Sequence, residues 1–256
     1  MPALPEVDVE RRTAHAPRWH VVLLNDDDHS YQYVIAMLQQ LFIATGSGKK
    51  VPERLLGEAL REVVAHEVGH TLGLRHNFKA SAWLSADEIQ RRRNETDEPT
   101  VASVMDYNPL LFFADDQNYE NIKVMAPPVI GPYDYWAIEY GYKPVPSGKS
   151  EADLLKEIAS RCNEPGLAYA TDEDTLGAFS PDPFSNRYDM SSDHIAWAKS
   201  RLELCDKLLS NLTEWAAKDG EPRYYLTQAF NIITGQRARN YEYIARLVGG
   251  QTFNRN

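Results

Sequence analysis

Cysteine is scarce: two thiols, Cys162 and Cys205, lie far apart in 256 residues and without CxxC spacing. That excludes a thiolate metal cluster and allows at most one disulfide. Positive charge is also in deficit. Lys and Arg number 27 against 37 Asp and Glu, a formal net charge of −10, which argues against nucleic acid as a partner and mildly favours neutral or cationic substrates. Long apolar runs are missing as well, none approaching the ~20 residues of a membrane span. The opening MPALPEVDVERRTAHAPRWH carries no apolar segment of the secretory kind. As written, the chain is expected to be neither exported by a signal peptide nor anchored, which alone reads as cytoplasmic and leaves the compartment open. What is present, a composition 43% hydrophobic, suffices for at least one buried core in one or two domains.

Along the chain, residues 1–17 are charged, proline-bearing and aperiodic, the pattern of a disordered lead-in. WHVVLLND, 19–26, reads as a buried strand running into the turn-forming Asn25-Asp26-Asp27-Asp28. Ser30 then caps an amphipathic helix over 31–42, and IATGSGKK, 43–50, is a flexible connection. From Pro52 a wide apolar stripe (Leu55, Leu56, Ala59, Leu60, Val63, Val64, Val68, Leu72) predicts a long helix up to Gly73. A short helix near 85–93, a turn at SVMDYNP (103–109) and a helix at 133–142 ended by Gly141 follow. Beyond a proline-rich linker at 144–149, three helices are expected near 150–162, 191–217 and 222–248.

The densest chemistry is HEVGHTLGLRH, 66–76, which holds three of the seven histidines. Residues four apart share a helix face, so His66 and His70 can hold one metal ion, with Glu67 beside its open side as candidate general base. His76 comes ten residues after His66, roughly 15 Å further along a straight helix, and cannot reach the same ion unless the chain turns. Gly73 supplies that turn, because glycine alone adopts a positive φ without a Cβ penalty. HExxH by itself arises by chance in about one chain in a hundred of this size, so the weight falls on the longer pattern.

That pattern, HExxHxxGxxH, resembles the signature of the metzincins, matched by His66, Glu67, His70, Gly73 and His76. The resemblance implies Zn2+ on the three histidines, and a methionine turn beneath it that corresponds to Met105 in SVMDY. It further implies that Tyr107 ligates the zinc or stabilises an oxyanion. EVVAHEVGHTLGLRHNFKAS, SVMDYNP and GPYDYWAIEYGY are similar to a family of large bacterial zinc-dependent metalloproteases, usually exported, over about 51–256. By that likeness the upstream sheet of the catalytic domain is lacking and the C-terminal tail is cut short.

RWHVVLLNDDDHSYQYVIAMLQQLF resembles instead the first strand and helix of ClpS, the adaptor that delivers proteins with destabilising N-termini to the Clp protease. The likeness stops near Phe42, and implies that Asn25 and Asp26 hold a substrate amine. The expected fold is therefore α+β, mainly helical: a ClpS-like strand and helix at 18–42 and a metzincin-like core at 51–143 whose active-site helix is zincin-like and whose sheet is truncated. A helical region at 150–256 completes it. The expected activity is zinc-dependent endopeptidase action on peptide or protein substrates. The alternative is a ClpS-like peptide-binding adaptor, partnered with the Clp protease, fused to a zinc-binding remnant without turnover.

Overall fold

The computed structural model describes residues 53–95, 97–114, 116, 127, 129–175, 182–216 and 223–254. The expected lead-in, the strand at 19–26 with Asn25 and Asp26, the helix at 31–42 and the connection at 43–50 lie outside them. The described residues form helices α1 (Glu53–Thr71), α2 (Ala86–Glu95), α3 (Pro132–Tyr142), α4 (Glu151–Ala159), α5 (His194–Ser210), α6 (Leu212–Ala216) and α7 (Tyr224–Arg246), with 3-10 turns at Ala80–Ala82 and Asp172–Asp174. No strand occurs among them, so the β part of the expected fold rests on residues not described. No helix among them is long and apolar enough to cross a membrane.

The helix starts follow local chemistry. Asp193 accepts from the Ala196 amide and Ser150 from the Asp153 amide, each satisfying a donor that the first turn leaves without a partner. Pro132 opens α3, where its missing N–H costs nothing. That helix runs through Gly141 and stops at Tyr142, with the Lys143 amide donating to the Glu139 carbonyl. The end at 142 is the expected one, but Gly141 lies inside the helix rather than terminating it, because it keeps a negative φ. Asn211 divides the expected 191–217 helix into α5 and α6.

Helix α1 departs from its apolar pattern. Leu60, Val64 and Val68 are 44%, 41% and 49% exposed, whereas Glu58, Glu62 and His66, spaced four apart, are buried beside Ala59 and Val63. The chemistry-bearing face points inward and part of the expected core stripe points out. Only that orientation aims the histidines at the rest of the domain.

Among the described residues, two apolar clusters hold the frame. Leu84, Ile89, Val101, Leu111, Phe113, Met190 and Trp197 form one, joining α2 and α5 to the irregular segment 100–113. Cys205, Leu212, Ala229 and Ile233, with Leu208, Leu209, Leu226 and Ile232 against them, form the other between α5, α6 and α7. Cys162 and Cys205 are not joined in a disulfide.

Segment 100–112 is buried throughout without regular structure. Its backbone groups must then find partners elsewhere, since a buried unpaired amide or carbonyl costs about 1–3 kcal/mol. Helices and loops supply them. Arg201 donates to the Leu110 and Phe112 carbonyls and Arg93 to that of Leu111. The amides of Ala102, Asn77, Tyr133 and Tyr188 tie it on either side, through Ala80, Met105, Ala102 and Tyr107 respectively.

Candidate metal centre

Three elements bring the three histidines together. α1 carries His66 and His70 one turn apart, and at Gly73 the chain turns with φ +82°. His76 thereby returns to the same point: the ligand atoms of His66, His70 and His76 all lie within 4.8 Å of one another. The turn expected at Gly73 is the observed one.

The hydrogen bonds assign the imidazole tautomers. His66 Nδ1 faces the Val104 carbonyl at 2.7 Å, and His70 Nδ1 faces the Leu74 carbonyl at 2.9 Å. His76 Nδ1 faces both carboxylate oxygens of Asp172, at 2.9 and 3.0 Å. A carbonyl can only accept, so Nδ1 of His66 and His70 carries a proton, and in the neutral ring that leaves the lone pair on Nε2. The carboxylate imposes the same tautomer on His76. Nε2 of His66 and His70 are 3.1 Å apart, close to the about 3.3 Å that two nitrogens span when each is about 2.05 Å from a tetrahedral zinc. Three imidazoles whose Nδ1 atoms all face acceptors are, in their neutral form, a donor set that fits zinc.

The turn that carries Met105 lies directly against α1. Met105 is fully buried, and a Cβ on Gly69 would fall 2.3 Å from its sulfur. Gly69, between the two helical histidines, therefore leaves the room that Met105 occupies. Asp134, at the start of α3, pins the turn: one carboxylate oxygen accepts from Ser103 Oγ, the other from the amides of Val104 (2.9 Å) and Gly131 (2.8 Å). Burial pushes the Asp134 carboxyl above its ordinary range. Val104, so held by its amide, offers its carbonyl to His66. Asp106 next accepts from the Ser81 and Tyr107 amides at 2.9 and 2.7 Å, and burial together with nearby Asp189 raises its pKa well above the usual range.

Tyr107 is buried, with its hydroxyl 3.2 Å from His76 Nε2. Its ring meets Phe78 edge to face, and the Arg187 guanidinium lies over both rings. Glu67 is half-buried, about 100° round α1 from His66. The site thus unites His66, His70, His76, Tyr107 and Met105, while Asn25 and Asp26 lie outside the described residues. Sequence reading missed Asp172, Asp134 and Glu62. Asp134 had a local signal, its place in the first turn after Gly131-Pro132. Asp172 had none, being 96 residues from the histidine it meets.

Comparison with known families matches residues 48–256 to the one described as Met-zincin, and residues 14–47 to the one described as ATP-dependent Clp protease adaptor protein ClpS. No curated protein and no solved structure gives a match.

Proposed function

We propose that this chain, which belongs to the Met-zincin family, is a zinc-dependent metalloendopeptidase. The family makes it a metallopeptidase in general. The observation that carries the finer reading is the convergence of one ring nitrogen from each of the three histidines, whose Nδ1 atoms all face acceptors.

In this reading His66, His70 and His76 bind the metal. Zinc held there would supply a Lewis acid for the scissile carbonyl and lower the pKa of a bound water towards about 7. Glu67 would be the general base, holding the proton of the attacking water and passing it to the leaving amine. Tyr107 Oη donates a hydrogen bond to the oxygen of the attacked carbonyl as negative charge gathers there. Its neighbourhood to His76 Nε2 also supports the alternative of Tyr107 as a metal ligand. Asp134, acting through Val104, keeps the His66 ring in line.

The test combines metal analysis with a peptide gel. One zinc per chain is expected, lost in His70→Ala; in Glu67→Ala the zinc stays and cleavage falls by at least a hundredfold. Metal-free protein under zinc titration overturns the reading. Zinc without cleavage in the parent would leave a zinc-binding remnant. A second reading draws on the ClpS match at 14–47: an adaptor holding free bulky N-termini through Asn25 and Asp26 for delivery to the Clp protease. Binding of such peptides, abolished in Asp26→Ala, supports it.

A further inference from the structure

His76 differs from the other two histidines in what orients it. His66 and His70 stand on one rigid helix and donate to backbone carbonyls. His76 lies beyond the Gly73 turn, on a segment without regular structure, and meets a side-chain carboxylate 96 residues away.

We infer that Asp172 is the positioning residue of the third ligand: it fixes the His76 tautomer and ring plane, and so sets the affinity of the site for zinc. This rests on the zinc reading above. Both carboxylate oxygens of Asp172 lie within hydrogen-bond distance of His76 Nδ1. The carboxylate is itself held, with Arg187 Nη2 3.3 Å from one oxygen and Thr171 Oγ1 3.3 Å from the other. A side chain restrained from both sides cannot swing away from the imidazole without breaking those contacts.

The turn that carries Asp172 is in turn docked onto the histidine segment. The Phe78 amide donates to the Ala170 carbonyl at 2.7 Å. Asn77 closes a reciprocal pair, its Nδ2 donating to the Ala168 carbonyl and its Oδ1 accepting from the Ala170 amide. Asn77 is fully buried, so these bonds act away from water. One residue further on, Glu173 takes a two-pronged grip on Arg75 at 2.9 and 3.1 Å, on the other flank of His76. That second contact is exposed, and exposed ion pairs contribute little. The Asp172 contact, against a 7%-exposed His76 side chain, is the one with leverage on the metal.

A carboxylate behind a ligand imidazole raises its basicity and locks its rotation, and removing such a partner costs about 10–100-fold in metal affinity. The experiment is zinc titration of the chelator-stripped protein against a fluorescent competitor, with the visible spectrum of the cobalt(II)-loaded protein as second readout. Asp172→Ala is expected to bind zinc about 10–100-fold more weakly and to change the cobalt bands. Asp172→Asn keeps an acceptor for Nδ1–H without the charge, and is expected to fall between Asp172→Ala and the parent, with an unaltered melting curve in chelator. Glu173→Ala, which leaves His76 alone, stays within about twofold of the parent, as expected for an exposed contact. If the parent binds zinc and both Asp172 variants bind it equally well with the same cobalt spectrum, the inference is wrong while the zinc site stands. If the parent binds no zinc, the proposed function falls and this inference with it.

Discussion

Glu62 offers a test of the inward-facing polar stripe of α1 through stability alone. Glu62 is 4% exposed; Oε2 has no hydrogen-bond partner among the described residues, and Asn108 is the side chain that bonds the carboxyl group. Burial outweighs that bond and the nearby Arg61, and pushes the carboxyl from 4.5 up to about 8. Below pH 4.5 folded and unfolded chains both hold the proton, and the stability is fully present. Between pH 4.5 and about 8 the unfolded chain releases it and the folded chain does not, so stability falls as pH rises; above that range it levels off. At 1.36 kcal/mol per unit, the gap amounts to about 5 kcal/mol, comparable with the whole stability of a small domain.

Glu62→Gln keeps the shape and removes the titration. Urea unfolding in excess chelator, with parent and variant compared at each pH, cancels the contribution of every other titrating group. The variant should match the parent near pH 5 and exceed it by several kcal/mol near pH 8.5, with unchanged m-values. A difference between the two that stays constant within about 0.5 kcal/mol from pH 5 to 8.5 would show that Glu62 ionises freely, and so does not face the interior.

Three further outcomes are expected. Gly131→Ala would bring a Cβ to 2.1 Å from the Ala102 carbonyl oxygen, a backbone atom that cannot move aside, so thermal melts should show a loss of about 3 kcal/mol or more, near the upper end for single substitutions. Asp134→Ala frees the Val104 amide and slackens the carbonyl behind His66; zinc affinity in the competitor titration should fall about tenfold, with Ser103→Ala milder. Arg93 and Asp116 form a buried pair at 2.7 Å, and Arg93→Ala, which strands the carboxylate, should cost about 3–5 kcal/mol in urea unfolding. Replacing both partners by apolar residues should recover much of that loss.

Local chemistry made much of the helical frame legible. The long helix before Gly73, the helix after Gly131-Pro132 and the C-terminal helices were readable because periodicity, caps and glycine act within a few residues of where they occur. The same range explains the limits. Periodicity marked Leu60, Val64 and Val68 as core alongside Ala59 and Val63, since a hydrophobic pattern does not say which of two adjoining faces another element covers. The break at Asn211, between α5 and α6, carried no glycine or proline to announce it.

The metal centre divides in the same way. The sequence by itself determined the clustering of the three histidines and the turn at Gly73, because a helix places residues four apart on one face and a glycine permits the reversal, both within eleven residues. Tertiary structure alone decided what stands behind each ring: the Val104 carbonyl held by Asp134, the sulfur of Met105 against Gly69, and the Asp172 carboxylate on His76. Those contacts join segments 30 to 96 residues apart. No local propensity encodes them; they exist only once the buried segment 100–112 and the turn at 171–174 have packed against α1 and its extension.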